Sequence, residues 1–330
     1  MKIRLMLLFI LNYFNSSFSK FEHSNLKIDK VVIWGHKLHT HTSSYVHNAF
    51  YRAFKHLGYE TYWFDDNDDV SHINFSNSLF YTEGQVDINI PMRDDCYYIT
   101  HNCYKDKYYP LRIKKRCLTQ QVFTNDCFKY DLTHPVDGIC YSVEHKSIFM
   151  YWGTDLLPHE IDSMKFKVKP LQQKEKNIYW IGTLGGGFFG NEEQIMPFME
   201  EAQKNELRFI HKTMISPEEN IQLVQNSFIA PTICGKWQCD VGFVPCRTFK
   251  NISYGQMCVT NSETINKLFK GRVIFNTDTK QLFYDSIKYL ESMDQKELFN
   301  LMDYVRDNHT YIQRIEWMLK IFDKVNSGSE

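Results

Sequence analysis

The sequence predicts an α/β protein built from two doubly wound domains. Short apolar runs alternate with amphipathic helical patterns along the chain, and this alternation is typical of βαβ units with parallel strands. The two halves also open alike, each with a strand, a glycine turn and a helix. A length of 330 residues suits two domains of roughly 150 residues each. We therefore expect two Rossmann-like domains that face each other across a cleft, with ligands at the carboxyl ends of the strands.

The first domain is expected over residues 30–165. Lys30–Trp34 is a short apolar run, as expected for a buried strand. Apolar residues then recur at helical spacing from Val46 to Leu57, and a glycine ends that helix. Tyr59–Phe64 is the next strand. A strand, a helix and a second strand in so short a stretch indicate a βαβ unit and hence a parallel sheet.

The second domain is expected over residues 172–305. Lys165–Lys176 is polar and lysine-rich and contains a proline, so it predicts the linker between the domains. The alternation of strands and helices resumes at Asn177–Gly182. The remaining residues, 306–330, carry apolar side chains at helical spacing and predict a C-terminal helix.

Composition excludes several classes of protein. Hydrophobic residues make up 43% and charged residues 23% of the chain, which excludes a disordered chain and a multispanning membrane protein. The 38 Lys and Arg residues balance 39 Asp and Glu residues, so no strong field draws the chain to nucleic acid. We expect no nucleic-acid partner, whereas a peripheral contact with a membrane stays open.

The nine cysteines do not predict a metal site. None is spaced as C-x-x-C, so a structural zinc site is not expected. Buried free thiols are the preferred interpretation, although Cys234 and Cys239 are close enough in sequence to pair.

Residues 1–19 have two interpretations. A basic start, the apolar run Leu5–Leu11 and the small residues around Ser17 and Ser19 resemble a secretory signal peptide, and the alternative is a plain N-terminal extension. The chain has four glycosylation sequons, at Asn15, Asn74, Asn251 and Asn308. A glycan on Asn251 would obstruct the binding motif discussed below, which argues against passage through a glycosylating lumen. Cytoplasmic, membrane-associated and secretory locations all stay open.

A glycine-rich segment, Gly182–Gly190, follows a predicted strand and precedes a predicted helix. Such a loop lets backbone amides approach a phosphate, and the helix N-terminus adds positive potential. Gly185, Gly187 and Gly190 also fit G-x-G-x-x-G, but the next strand ends in a histidine and Lys212 where a dinucleotide site needs an acid. The missing acid argues against an NAD-binding site, but an NADP-binding site stays open as an interpretation. The alternative without a ligand is a tight turn.

The most specific stretch is residues 243–262, which predict a loop, a short helix, a glycine cap, a strand and a polar turn. It resembles the donor-binding segment of glycosyltransferases with the two-domain GT-B fold, most closely the group-1 and spore-maturation-like types. Tyr151–Pro158 resembles the Gly-x-Asp segment that ends the family's first domain, and Asn177–Gly182 resembles the start of its second. The likeness covers roughly residues 148–280.

The resemblance implies transfer of a sugar, as by a hexosyltransferase, from a nucleotide-sugar to a hydroxyl of a glycan, lipid or protein acceptor. It implies donor binding on residues 172 to about 300, acceptor binding on 30 to about 165, a last helix that crosses back to the first domain, and neither a cofactor nor a divalent metal. The predicted donor-binding residues are Gly182, Thr183, Gly185, Gly186, Gly187, Lys212, Arg247, Lys250, Asn251 and Asn261.

One position departs from the family pattern. The family's acidic residue five positions before the glycine holds the donor ribose, and here that position is Lys250. A cation accepts no hydrogen bond from a hydroxyl. Either Lys250 contacts phosphate, or Glu263 or another group holds the ribose, or the donor differs; a solvent-facing lysine is the alternative without a ligand.

Two catalytic residues are predicted. Arg247 is the best candidate to stabilise the departing diphosphate, because its planar fork matches two phosphate oxygens. His36, in the histidine-rich segment after the first strand, matches the general base of inverting enzymes of this fold. A retaining enzyme needs no such base, and helix capping or solvent exposure would also explain these histidines.

The acidic run Asp65–Asp69 contains the D-x-D pattern that binds Mn²⁺ or Mg²⁺ in the other large glycosyltransferase fold. A solvated acidic turn is the preferred interpretation, since the run lies far from the glycine-rich segment in sequence.

Two rival functions stay open. An NADP-dependent oxidoreductase would use the same glycine-rich segment, but it would leave Arg247–Asn261 unexplained. A non-catalytic carbohydrate-binding protein is suggested by the aromatic content of 15% and by the signal-like N-terminus.

Overall fold

The structure is a computed structural model that describes residues 26–37, 43–125, 132–134 and 136–327. Three features of the sequence fall outside these ranges: the signal-like residues 1–19 with the sequon at Asn15, His39 and His41 of the histidine-rich segment, and Cys127, one of the nine cysteines. The eight cysteines within the described ranges are free thiols, including Cys234 and Cys239.

The first half contains a sheet of eight strands in the order β2-β1-β3-β4-β5-β8-β7-β6. The six strands from β2 to β8 in that order run parallel, and β7 and β6 continue the sheet antiparallel. The bounds are β1 Lys30–Trp34, β2 Glu60–Phe64, β3 Ser78–Glu83, β4 Tyr97–His101, β5 Cys117–Gln121, β6 Leu132–Thr133, β7 Cys140–Ser142 and β8 Ser147–Phe149. The predicted first βαβ unit is confirmed.

The described residues of this half form three α-helices: α1 Ser43–His56, α2 Tyr109–Ile113 and α3 Pro158–Lys165. The apolar face of α1 includes Val46, Phe50 and Phe54, all of them buried, and Gly58 follows the helix at a φ of +82°. The periodic spacing in the sequence placed this helix correctly.

The apolar residues Val122 and Phe123 predict a strand at Val122–Thr124, and this prediction is wrong, because the strand is β5, which ends at Gln121. The sequence of β5 is polar, yet all five of its residues are buried. The side-chain oxygen of Gln120 accepts a hydrogen bond from the hydroxyl of Tyr81 (3.0 Å), and its side-chain nitrogen donates to the carbonyl of Met150 (3.3 Å). Tertiary hydrogen bonds offset the cost of burying these polar side chains. A buried strand of this kind therefore lacks the apolar run by which buried strands are predicted from sequence.

The second half is also α/β, with five parallel strands. Two form the pair β10-β9 and three form the sheet β11-β12-β13. A backbone hydrogen bond from Phe228 N to Asn177 O (2.8 Å) joins the segment before β11 to β9. The bounds are β9 Asn177–Ile181, β10 Arg208–Lys212, β11 Pro231–Thr232, β12 Val259–Thr260 and β13 Ile274–Phe275.

Seven helices flank these strands: α4 Glu192–Lys204, α5 Pro217–Asn226, α6 Lys236–Asp240, α7 Cys246–Ser253, α8 Glu263–Leu268, α9 Thr279–Ser292 and α10 Gln295–Asn308. Several begin with a side-chain cap, such as Ser216 Oγ on Glu219 N (3.1 Å) and Asp278 on Lys280 N (2.9 Å). The predicted α/β class with two Rossmann-like halves is confirmed, and we propose residues 30–165 and 172–305 as the two domains.

The last helix, α11 Tyr311–Ser327, packs on the first half. Tyr311 meets Phe50 of α1 at 4.6 Å between ring centroids, and Phe322 meets Tyr97 of β4 at 5.5 Å. Asn326 donates to the carbonyl of Lys115 (3.1 Å). The C-terminal helix therefore ties the two ends of the fold together. Within the described parts of the chain, no helix has both the length and the apolar character needed to span a bilayer.

Candidate active site

A cavity of about 590 Å³ lies between the two halves. His101 at the end of β4 and Ile181 at the end of β9 both line it, so it sits where parallel strands end. The first half contributes Ser43, Tyr45, Val46, His101, Val122 and Trp152. Five of the predicted donor-binding residues line the opposite wall: Gly182, Thr183, Arg247, Lys250 and Asn251.

Arg247 is the central cation of this wall. It lies in the first turn of α7, and its Nε and Nη2 donate to the carbonyl of Ile181 (3.1 and 2.7 Å). Its guanidinium stacks on the ring of Trp180 at 3.6 Å. Burial lowers the pKa of Arg247 to about 10, which leaves it charged at neutral pH. Among the described residues no carboxylate lies within ion-pair distance of Arg247, so the cavity wall carries an unneutralised positive charge.

Gly182 makes room for that charge. Its φ is +110°, and a Cβ at this position would lie 2.9 Å from Arg247 Nη2. Its own amide donates to the carbonyl of Lys212 (2.9 Å) and is thus occupied. The amide of Thr183 donates no hydrogen bond within the described ranges, and Thr183 lines the cavity. Arg247 and Thr183, whose amide makes no hydrogen bond within the described ranges, therefore border the same space, an arrangement that suits an anion.

The tip of the glycine-rich segment does not reach the cavity. Gly185, Gly186 and Gly187 are absent from its lining. The carbonyl of Gly185 accepts hydrogen bonds from Asn191 N and Glu192 N (2.8 and 3.0 Å), so the start of α4 is capped from within the loop. The predicted convergence of these three amides on a phosphate is therefore not present in this arrangement.

Two glycines serve close packing. A Cβ on Gly190 would lie 2.0 Å from the carbonyl oxygen of Gly185, and one on Gly235 would lie 1.8 Å from that of Gly190. The missing side chain of Gly190 lets the loop fold on itself, and that of Gly235 lets the loop touch the start of α6.

Lys250 joins the two halves. Its Nζ lies 3.1 Å from Asp155 Oδ2 and 4.6 Å from the ring centroid of Tyr45. Burial acts to lower the pKa of Lys250, but the charge of Asp155 outweighs it and the pKa is raised. The hydroxyl of Tyr254 also donates to Asp155 (2.7 and 2.8 Å). The lysine at the family's acidic position thus pairs with an acid from the other half, while Glu263 pairs with Lys267 on the surface.

The remaining predicted donor residues have structural partners. Asn251 donates to the carbonyl of Ala230 (3.0 Å). Lys212 pairs with Glu219 (2.8 Å) and lies outside the cavity lining. Asn261 also lies outside the cavity lining. Its side chain accepts a hydrogen bond from the amide of Cys234 (2.8 Å) and donates one to the carbonyl of Cys234 (2.9 Å).

His36 is buried behind the cavity wall. Its φ is +55°, and its Nε2 lies 2.9 Å from Glu83 Oε1. The other oxygen of Glu83 accepts a hydrogen bond from Ser43 Oγ (2.8 Å), and Ser43 lines the cavity. Burial acts to raise the pKa of Glu83, but hydrogen bonds from His36 and Ser43 outweigh it and hold the pKa at about 2. His36 itself is not in the lining, so it is linked to the cavity through Glu83 and Ser43.

His101 was missed by the sequence analysis. It lies at the carboxyl end of β4, edge-on to Trp152 at 4.5 Å between centroids, and lines the cavity. Its Nδ1 is buried without a hydrogen-bond partner among the described residues, and burial lowers its pKa to about 4. A neutral imidazole facing a cavity is suited to bind a hydroxyl. The available signal was a polar residue at the end of an apolar strand.

The acidic run forms a structured turn. Asp66 accepts hydrogen bonds from Trp34 Nε1 (2.8 Å) and from the amides of Ile88 and Asn89 (3.0 and 2.9 Å). Asp68 pairs with Lys37 at 3.0 Å. Within the described ranges no three His, Cys, Asp or Glu side chains are placed to share a metal ion. The D-x-D carboxylates of this run are therefore already used in holding the turn.

Comparison with solved structures finds the crystal structure of AviGT4, a glycosyltransferase involved in avilamycin A biosynthesis. The identity is 11%, the TM-score is 0.49, and the match covers 91% of this chain and 98% of that one. No protein-family model matches the chain, and a search of curated proteins finds no match.

The stability of this region should depend on pH through His47. It is fully buried behind His36, with Nδ1 2.7 Å from the carbonyl of Gly35, and burial lowers its pKa to about 4. The unfolded chain binds a proton near pH 6.5 while the folded protein does not, so stability is complete above that pH and falls as the pH drops towards 4. We expect roughly 2 kcal/mol of unfolding free energy to be lost between pH 7 and pH 5 through His47 alone. Urea unfolding at both pH values measures it, and an equal loss in His47→Gln would contradict this origin.

Proposed function

We propose that the protein is a glycosyltransferase that moves a sugar from a nucleotide-sugar donor to the hydroxyl of an acceptor. The observation that carries the proposal is Arg247: a half-buried guanidinium without a carboxylate partner among the described residues, facing a cavity between two α/β halves. Such a charge is costly unless an anionic ligand completes it. A nucleoside diphosphate supplies that anion, and the resemblance of residues 243–262 to donor-binding segments points the same way.

In this proposal the donor lies on the second half. The diphosphate is held by the guanidinium of Arg247 and the amide of Thr183, beside Gly182. As the bond to the sugar breaks, negative charge grows on the diphosphate, and donors already fixed in place stabilise it without reorganising. Lys250 adds less, because Asp155 neutralises much of its charge. Its role is to hold Asp155 of the first half against α7.

The acceptor lies on the first half. We assign His101 to bind an acceptor hydroxyl, since the residue lines the cavity and its buried Nδ1 has no hydrogen-bond partner among the described residues. Ser43 offers a second polar contact, oriented by Glu83. His36 then acts as a positioning residue through Glu83 rather than by touching the acceptor itself.

We propose that transfer needs no divalent metal. The carboxylates of the D-x-D run hold their own turn, and Arg247 already supplies the cavity with a cation that has no carboxylate partner among the described residues. EDTA should therefore leave both the transfer rate and the melting temperature unchanged within error. A loss of activity that Mn²⁺ or Mg²⁺ restores would contradict this and reinstate a metal site.

The direct test is a melting-temperature panel with UDP-, GDP-, CMP- and dTDP-sugars and with NADPH. A ligand that binds only the folded protein raises its stability by about 2.7 kcal/mol at 100 times Kd, or roughly 5 °C. One nucleotide-sugar should give this shift, and Arg247→Ala should abolish it. A shift with NADPH alone would favour the oxidoreductase, and the absence of any nucleotide shift would overturn the proposal.

A further inference from the structure

Four aromatic side chains form a patch beside the cavity, here called the aromatic rim: Phe123, Phe188, Phe189 and Trp237. The rings of Phe123 and Phe189 both meet Trp237 edge-on, at 5.3 and 4.8 Å between centroids, and Phe188 meets Phe189 at 4.9 Å. Phe188 and Phe189 are 72% and 67% exposed. Two adjacent phenylalanines left open to water have a cost unless a ligand covers them.

The glycine-rich segment builds this rim. Gly187 takes a φ of +75°, and the close contact of Gly190 with Gly235 brings the loop against the start of α6. The loop therefore carries its two phenylalanines onto Trp237, the second residue of α6. The tip of the glycine-rich segment, which was expected to bind phosphate, instead presents the aromatic rings of Phe188 and Phe189.

The rim adjoins the cavity and bridges both halves. Val122 and Gln238, the neighbours of Phe123 and Trp237 in sequence, both line the cavity. The hydroxyl of Thr124 donates to the carbonyl of Gly242 across the halves (2.6 Å). A chain-like ligand with one end in the cavity would therefore pass over the rim.

The charges around the rim favour a neutral ligand. Lys236 is paired with Asp240 at 2.8 Å, and Glu192 and Glu193 begin α4 after the loop. An anionic membrane surface attracts clusters of unpaired cations. Lys236 with its partner Asp240, together with Glu192 and Glu193, is not such a cluster. Ring faces beside Asn191 and Gln238 of the cavity wall suit a polyhydroxylated chain that is apolar on one face and polar at its edges.

We infer that the aromatic rim binds the acceptor, and that this acceptor is a carbohydrate chain. Its sugar rings lie against Phe188, Phe189 and Trp237 while its terminal hydroxyl enters the cavity beside His101. The inference rests on the proposed function for the direction of the chain, but carbohydrate binding by the rim can be measured without transfer.

The test uses the full chain on an array of neutral oligosaccharides, including maltohexaose, cellohexaose, xylohexaose and chitohexaose, followed by titration of the retained sugars. The double variant Phe188→Ala/Phe189→Ala should weaken binding about tenfold or more, and Phe189→Tyr should keep it, because tyrosine preserves the ring. Phe166→Ala is the matched control, since Phe166 is 92% exposed and lies outside the cavity lining. The nucleotide-sugar shift in melting temperature is recorded for every variant.

The outcomes separate the two proposals. Sugar binding that depends on the rim, without any nucleotide shift, keeps the rim and overturns the transferase. A nucleotide shift combined with no retained sugar, or with equal binding by the double variant, overturns the rim as a carbohydrate site. Rim-dependent sedimentation with phosphatidylcholine–phosphatidylserine vesicles, in place of sugar binding, would assign the rim to a membrane surface and also overturn it.

Discussion

Replacing Arg247 with alanine is expected to lower kcat/KM for sugar transfer at least about a hundredfold while the protein stays folded. The guanidinium is the cation of the cavity wall without a carboxylate partner among the described residues, and it is fixed by Ile181 and Trp180 before any ligand arrives. Without it, two aligned hydrogen-bond donors no longer stabilise the negative charge that develops on the diphosphate. Initial rates across donor concentrations measure the effect, and circular dichroism checks the fold.

Two further variants make this result specific. Arg247→Lys keeps the charge but loses the planar fork and the stacking on Trp180, so its rate should lie between those of wild type and alanine. Lys267→Ala removes an exposed lysine that pairs with Glu263, and it should be indistinguishable from wild type. Unchanged turnover in Arg247→Ala would take Arg247 out of the mechanism.

The second large effect concerns stability. Arg314→Met is expected to lower the free energy of unfolding by about 3–5 kcal/mol. Arg314 is fully buried, and its guanidinium donates to the carbonyls of Tyr151, Trp152 and Asn308 at 3.1, 3.1 and 2.9 Å. Methionine fills much of the volume but leaves these three carbonyls without their donors. Urea unfolding measures the loss.

The control for this variant lies on the same helix. Lys320 forms an i,i+4 pair with Glu316 on the surface of α11, so Lys320→Met should cost only about 0.5 kcal/mol. Arg314→Lys should fall between the two, because one ammonium reaches fewer carbonyls than a guanidinium does. Equal midpoints for the methionine variants at Arg314 and Lys320 would show that the buried hydrogen bonds contribute nothing net.

Local patterns predicted the framework of the fold well. The helix α1 and the strands on either side of it followed from apolar spacing and a terminating glycine. The pattern failed at β5, whose buried Gln120 is satisfied by residues far away in sequence. A hydrogen bond between Gln120 and Tyr81 cannot be inferred from the spacing of either residue.

The candidate site was only partly predictable. Arg247 was found because it lies in a specific motif, whereas His101 ends an ordinary strand and gave no comparable signal. Gly185–Gly187 were expected at a phosphate but fold back onto the start of α4. Local sequence predicts that a glycine-rich loop can bend, but the packing partner of that loop decides where it goes.

By itself the sequence determined the α/β class, the two similar halves and the C-terminal helix, and it singled out Arg247 as the candidate cation. Those features depend on periodic burial and on residue chemistry, which are local properties of the chain. Only the tertiary structure decided that Lys250 is neutralised by Asp155, that His36 stands behind Glu83, and that Phe188 faces water beside the cavity. A charge or a ring takes its role from what lies within a few ångströms of it, and those neighbours come from distant parts of the chain.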